Sequence, residues 1–335
     1  MENKMKTSCT AERVLLKDVL PIEVPYKVQF NLSDACNLKC EYCGLHKNEI
    51  SSSFMSFELF EKAVQQLKCF KDKIRVIWLV GMGEPLLHKD IIEMIHLLKT
   101  ENISRDIGIV TNGIRLTKDM SDKLIAAGLT ILRVSVNGLS NEDYKKYTNT
   151  TIDFNQYCKN IQYFYNNARG TKIYIKILNY MVKDIHRREY FYQIFKDISH
   201  NCTIENLQTL DKDIDYERIA GTKKLNNCLY ENVQIESQIC AQPFYSMYIN
   251  TLGQITPCCT ANKVLKMGDL NTEELTQIWN GYFFNKFRIR MLQGAFSANN
   301  ICRECKTYLH TMTEEDILDE KAELLKKQYE RRLNL

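Results

Sequence analysis

Cys36, Cys40 and Cys43 share one short stretch, with three residues between the first pair and two between the second. Three thiolates on a tight loop can hold three irons of a 4Fe–4S cube and leave the fourth iron without a protein ligand. An iron with open positions can bind a small molecule, so such a cluster becomes a reaction centre as well as an electron carrier. The same spacing is open to a structural zinc site, with His46 as the nearby fourth ligand, or to a chance grouping of buried thiols. The stretch follows Val28-Gln29-Phe30, whose alternation predicts a strand. A cysteine loop leaving the C-terminal end of a strand stands where α/β barrels place their chemistry.

A second turn with chemical meaning follows Ile74–Val80, a continuous apolar run expected of a strand buried on both faces. It leads into Gly81-Met82-Gly83-Glu84-Pro85, where the glycines let backbone approach a ligand and Pro85 stiffens the exit. Further on, Cys240 and Cys258 flank a hairpin pattern over residues 247–256, turning at Gly253. Cys302 and Cys305 follow helix patterns around Ile278-Trp279 and over 283–292. Four cysteines on a small α+β unit can bind zinc or a fully ligated iron–sulfur cluster, and spacing alone does not choose.

These groups must be held by regular elements. Phe57, Phe60, Val64 and Leu67 predict an amphipathic helix with Ser56 as N-cap, and Ile91, Ile92, Ile95 and Leu98 another after Asp90. Residues 106–110 predict a strand closing on Thr111-Asn112-Gly113, and Leu124 and Ala127 a helix. Strands over 130–136, Lys172–Leu178 and 203–207 complete the series. Strands alternating with helical patterns imply βαβ units and a parallel sheet, an α/β fold.

The cysteine spacing, the aromatic Tyr42 before the third cysteine and the glycine turn ending in Glu84-Pro85 resemble the radical S-adenosylmethionine (SAM) superfamily. The resemblance covers about residues 24 to 310. It implies an open six-stranded (β/α)6 barrel with a small α+β auxiliary-cluster domain. It also implies a 4Fe–4S cluster on Cys36, Cys40 and Cys43 that binds SAM. Gly83, Glu84 and Pro85 would then meet the amino group of the SAM methionine, with Met82 between the glycines a mild departure. Ser135 would reach the SAM ribose, Asn179 its carboxylate, and backbone near Leu207 its adenine. Asn137 stands where relatives often carry Asp, and no catalytic role is assigned to it.

Cys240, Cys258, Cys302 and Cys305 look like the ligands of a Twitch-type domain, the shortened relative of the SPASM domain. No cysteine follows Cys305, so one auxiliary 4Fe–4S cluster is expected, as in the butirosin-pathway aminocyclitol dehydrogenase. The implied chemistry is reductive cleavage of SAM, driven by a flavodoxin- or ferredoxin-type donor. The resulting 5′-deoxyadenosyl radical takes hydrogen from a substrate C–H bond, and the auxiliary cluster accepts an electron. A carbohydrate or aminocyclitol-like small molecule, dehydrogenated or epimerised, is the expected substrate, in keeping with residues 20–25, which resemble the opening of polysaccharide-pathway members. Peptide or protein side-chain modification is the rival. Too few residues precede the first strand for a leader-binding domain. An iron–sulfur electron carrier is the reading from another class, though a carrier needs neither the glycine turn nor an open iron.

Composition bounds the rest. The chain has 335 residues, 13 cysteines and a net charge of +4, without a basic stripe, so nucleic acid is not an expected partner. A polar start over residues 1–10 and the lack of a long apolar run point away from a signal peptide or membrane span, toward a cytoplasmic, reducing setting. The expected organisation is an N-terminal arm (1–23), a barrel (24–210), a linker (211–239), an auxiliary domain (240–312) and a C-terminal helix (313–335). Leu318, Leu324 and Leu325 would be the apolar side of that last helix. Cys9, Cys69, Cys158, Cys202, Cys228 and Cys259 read by default as small buried hydrophobes, though Cys259, beside Cys258, could instead alternate as a ligand or donate hydrogen. No general base stands out: Arg75, Lys176, Glu205, Asp211 and Asp213 could face the barrel mouth, but charged residues of these types read first as surface charges.

Overall fold

The computed structural model describes residues 13–46, 53–211, 213–223, 225, 235–259, 265–305 and 307–334. Cys9, Cys228 and the side chain of His46 lie outside the described residues. Six strands alternate with helices: β1 (Lys27–Asn31), β2 (Ile74–Val80), β3 (Ser104–Thr111), β4 (Ile131–Val136), β5 (Lys172–Leu178) and β6 (Asn201–Glu205). They run parallel in sequential order, as repeated βαβ units require. Helices Phe57–Leu67, Ile91–Glu101, Lys118–Ala127, Phe154–Asn167 and Ile185–Phe195 cover one face. Val28, Phe30, Ile77, Leu79, Ile109, Leu132 and Ile175 pack there against Phe60, Val64, Ile95, Leu124 and Phe164. The first of these helices begins as expected, since the Ser56 side chain accepts from Leu59 N–H at 3.1 Å.

The opposite face carries a separate, smaller apolar cluster, Trp78, Ile131 and Tyr174. Strand pleating places Gln29, Arg133, Ser135 and Lys176 on that same inner face, and register sets Ser135 beside Lys176. The interior thus sets polar side chains beside this apolar cluster, Gln29 opposite Trp78 and Arg133 opposite Tyr174, with Ser135 and Lys176 one inward-facing step nearer the C-terminal strand ends.

The hairpin forms as expected from β7 (Ser246–Ile249) and β8 (Gln254–Thr256), with Gly253 at φ +82° in the turn. A short β9 (Gly268–Asp269) pairs with β8. Sequence pattern did not announce that strand, which is two residues long. Instead of standing apart, the hairpin joins the barrel sheet. β7 pairs in parallel with β1, Lys27 opposite Ser246 and Phe30 opposite Ile249, giving the order β6-β5-β4-β3-β2-β1-β7-β8-β9.

Three sequence expectations need correction. The sixth strand spans 201–205 rather than 203–207, so Leu207 lies just past its end. The tail is not one helix from 313: two short 3-10 turns precede a helix at Ala322–Arg332. Leu318 and Leu325 are buried, but Leu324 is 54% exposed and Tyr329 takes its place. Neighbours in a helix point about 100° apart, whereas 325 and 329 share a face. That face meets the auxiliary region, Tyr329 lying 5.7 Å from Phe244. The arm at 13–23 packs on the same tail through Arg13 to Asp316 at 3.0 Å and Lys321 to Asp18 at 2.5 Å.

Candidate active site

β1 ends at Asn31, and the following loop carries Cys36, Cys40 and Cys43. Its backbone is tied at several points, which fixes where the thiols stand. Lys39 N–H donates to Thr148 O and Glu41 N–H to Tyr147 O, both at 3.0 Å, and Cys43 N–H to Cys40 O at 3.1 Å. Asp34 accepts from Asn31 Nδ2 at 2.8 Å, from the Ser53 hydroxyl, and from Thr251 Oγ1 at 3.1 Å in the β7–β8 hairpin. Tyr42 turns inward, its hydroxyl donating to Asn137 Oδ1 at 2.8 Å, with the Cys40 thiol 3.8 Å from the same oxygen. Asn137, given no role from sequence, thus anchors the middle of the cysteine loop.

The glycine turn after β2 packs directly on this loop. Gly83 N–H donates to Ser33 O at 2.9 Å and Glu84 N–H to Ala35 O at 2.8 Å. A side chain at Gly83 would place its first carbon 2.0 Å from Ala35 O, so only glycine fits this approach. The Glu84 carboxylate is directed inward, not toward open space. It accepts from Thr111 Oγ1 at 2.6 Å, Asn112 N–H at 2.7 Å and Leu86 N–H at 3.0 Å. Burial raises its pKa despite these bonds. Glu84 therefore stitches the ends of β2 and β3 together beneath the cysteine loop, and Asn112 extends the seam to Asn37 at 2.8 Å.

A cavity of about 250 Å³ opens at the C-terminal ends of β4, β5 and β6. Tyr42 from the cysteine loop, Arg133, Ser135, Lys176, Glu205 and Leu207 line it, and Thr311 reaches it from the C-terminal region. Two of the sequence-selected contacts, Ser135 and Leu207, thus meet in one place. Asn179 stands beside them but spends its amide internally, donating to Asn206 Oδ1 at 2.8 Å and accepting from Leu207 N–H at 3.1 Å. Gly83, Glu84 and Pro85 do not line this cavity; they lie across the cysteine loop from it.

Of the five charged candidates, Lys176 and Glu205 face the cavity at the barrel mouth and do not stand as free surface charges. Glu205 is 3% exposed, and Lys176 Nζ sits 2.6 Å from its Oε2. Alternation in β5 could have placed Lys176 on the inner face with Tyr174, but nothing local fixed the partner. Arg75, second residue of β2, is at the end of the sheet away from the cavity. Asp213 donates its N–H to Asp211 Oδ1 at 2.9 Å, and Asp211 itself packs on Gly44, just past Cys43. The stretch beginning at 211, expected to be a linker, therefore starts as a cover on the first cysteine loop. Tyr216 clamps it, accepting from Asp211 N–H and donating to Tyr42 O.

The second cysteine group is assembled from three segments. Cys240 precedes the short helix Gln242–Tyr245, Cys258 follows β8, and helix Asn300–Glu304 supplies Cys302 with Cys305 at its C-terminal cap. Burial raises the Cys240 pKa well above the ordinary thiol value, and the charges of Cys258, Cys305 and Cys302 add to it. Cys302 is pushed up to about 11, by burial and then by Cys305. The first group behaves alike: burial, then Cys43 and Cys36, raises Cys40. Each group thus sets poorly solvated thiols near enough for their ionised forms to repel one another, a donor set whose thiolates would be stabilised by the positively charged core of an iron–sulfur cluster. Among the described residues no three Cys, His, Asp or Glu side chains are drawn together as for a single metal ion. Of the remaining cysteines Cys202 is buried, but Cys69 and Cys259 are exposed, so the buried reading fails at both.

Comparison with known proteins agrees with this layout. Residues 30–196 match the radical SAM superfamily, and residues 240–306 match SPASM, an iron–sulfur cluster-binding domain. A protein of Methanococcus maripaludis described as a probable GTP 3',8-cyclase is 42% identical over 121 residues, 36% of this chain and 39% of that protein. One of Saccharolobus islandicus with the same description is 26% identical over 234 residues, 68% of this chain and 72% of its own length. Among solved structures, BtrN in complex with AdoMet and 2-DOIA superposes with a TM-score of 0.59 at 16% identity, covering 87% of this chain and 97% of that one. Streptococcus suis SuiB bound to precursor peptide SuiA gives 0.58 at 16% identity, covering 79% and 66%. At such identity these structures establish the fold, an α/β radical SAM barrel with an auxiliary region. The chain belongs to the radical SAM superfamily and carries a SPASM-type domain, so iron–sulfur clusters and S-adenosylmethionine are its cofactors.

Proposed function

We propose that this chain is a radical SAM oxidoreductase acting on a polar, hydroxylated small molecule. In this reading Cys36, Cys40 and Cys43 hold the SAM-binding 4Fe–4S cluster, and Cys240, Cys258, Cys302 and Cys305 hold a second, fully ligated one. When bound, the first cluster and SAM supply a 5′-deoxyadenosyl radical that abstracts hydrogen from a substrate C–H bond. The protein's own part is to position and to exclude water. The Gly83–Glu84 backbone and Asn137 fix the loop that bears the three thiols. Ser135, Leu207 and, through Asn206, Asn179 shape the wall on which the nucleoside portion of SAM would lie.

The observation that carries the substrate class is the cavity itself. It is small, it begins at Tyr42 next to Cys43, and its lining includes the half-buried Lys176, paired with the buried Glu205, and Arg133. Charged, directional groups in a confined site suit hydroxyl, amino or phosphate substituents better than an apolar ligand. The structural similarity to BtrN, solved with 2-DOIA, supports the aminocyclitol or carbohydrate form of this reading. Relatives described as probable GTP 3',8-cyclases support a nucleotide instead, which shares the polar small-molecule chemistry. The SuiB–SuiA complex keeps peptide modification as the rival. A flavodoxin- or ferredoxin-type protein would deliver the first electron.

The test is deoxyadenosine formation by anaerobically reconstituted protein with SAM and dithionite. Stimulation by aminocyclitols, sugars or nucleotides, with deuterium transfer from a labelled substrate into deoxyadenosine, is the expected result. Stimulation by peptides alone would replace the small-molecule reading. Full clusters without any deoxyadenosine would revive a simple electron carrier.

A further inference from the structure

Lys27 opens β1 on the inner face of the sheet and is held beside Ser246 by the β1–β7 register. Its ammonium donates to Gln242 Oε1 at 2.9 Å and lies 5.1 Å over the Tyr245 ring, both on the short helix that follows Cys240. Neither partner carries charge. The electrostatic neighbours of this ammonium are Cys259, Cys258, Asp316 and Cys240, and burial opposes its charge. Asp316, the one carboxylate among them, is already engaged by Arg13 at 3.0 Å. A half-buried cation is better tolerated beside a counter-charge. The barrel therefore sets an ammonium against the short helix that follows Cys240, beside the second cysteine group.

We infer that Lys27 is a positioning residue for the auxiliary cluster, which sets the reduction potential of that cluster from the barrel side. The inference rests on the assignment of Cys240, Cys258, Cys302 and Cys305 as ligands. A cluster with four thiolates is an anion, and each added electron makes it more so. A fixed neighbouring cation favours the reduced form and moves the potential upward. In the proposed reaction, the substrate radical loses one electron to the oxidised auxiliary cluster and one proton to water, leaving an oxidised product and a reduced cluster. That electron then passes to an external acceptor of the flavodoxin or ferredoxin class. A higher potential at the auxiliary cluster makes the transfer more favourable.

The experiment uses the full chain carrying Cys36→Ala, Cys40→Ala and Cys43→Ala, so that only the second group can bind iron. Its reduction potential is measured by redox titration followed by EPR, with Lys27, with Lys27→Met and with Lys27→Arg. The expected result is a more negative potential for Lys27→Met and a near-unchanged one for Lys27→Arg, at equal iron content. Loss of iron in Lys27→Met with retention in Lys27→Arg would also show that the charge serves the cluster. An unchanged potential in Lys27→Met at full iron content overturns the inference while leaving the auxiliary cluster standing. Loss of iron or equal shifts in both variants would assign Lys27 to packing and overturn it too. Absence of iron with Lys27 in place would remove the auxiliary cluster itself, and with it this inference.

Discussion

The two cysteine groups are served by opposite ends of one strand and are built in opposite ways. The first lies on one continuous loop, tied by backbone bonds from Lys39, Glu41, Gly83 and Glu84. The second is gathered from three segments, and its closure depends on helix Asn300–Glu304 and on contacts with the tail. Between them β1 advances about 13 Å over four residue steps. The difference teaches that the first group is specified locally and the second by tertiary assembly. A local loop can present an iron with open positions in a reproducible place. A group drawn from several segments could enclose a cluster on all sides, which would suit electron storage.

The largest expected effects break one group and spare the other. Cys40→Ser should reduce deoxyadenosine formation to background while leaving the second cluster in place, as seen by iron analysis and EPR. Cys302→Ala should do the reverse, keeping SAM cleavage but losing substrate turnover.

Effects through packing come next. Leu325→Ala should cost about 2–5 kcal/mol by leaving a cavity under the C-terminal helix. It should loosen the second group first, which urea unfolding and iron retention would report. Leu324→Ala on the exposed side should change stability by less than about 0.5 kcal/mol. Equal effects from the two would contradict the observed face.

Gly83→Ala should cost about 1–3 kcal/mol, because the added carbon meets the Ala35 carbonyl at 2.0 Å. Its effect should be confined to the first group. Glu84→Gln should cost about 1.5–3 kcal/mol by weakening bonds to a buried charged acceptor. Burial lifts the Glu84 pKa, so the folded chain holds that proton more tightly than the unfolded chain. The resulting contribution to stability is greatest below the ordinary glutamate value and declines as pH rises through the raised one. Thermal unfolding across that window should show the decline in the wild type and a flatter profile in Glu84→Gln.

Local chemistry was legible in the sequence, and long-range placement was not. Strand β2 was bounded correctly because Ile74–Val80 is apolar throughout and ends on glycine. The Ser56 cap and the Gly253 turn were likewise set by neighbouring residues. The pairing of β7 with β1 joins segments more than two hundred residues apart, and no periodicity in either strand selects the other. The same blindness hid Lys27 and Lys176. Each reads as solvent-facing by type, and each is engaged by a partner that only the assembled fold supplies, Gln242 and Glu205. Nor does the sequence show that Thr111 and Asn112, at the end of the next strand, donate to the Glu84 carboxylate, since that contact too is made only in the assembled sheet.

Metal stoichiometry tests the central claim most directly. Iron and sulfide would be counted in anaerobically reconstituted wild type and in the Cys36→Ala/Cys40→Ala/Cys43→Ala variant, each then assayed for deoxyadenosine formation. The account predicts about eight irons in the wild type and about four in the variant, with deoxyadenosine from the wild type alone. A variant that retains all its iron, or a fully loaded wild type that leaves SAM intact, would contradict it.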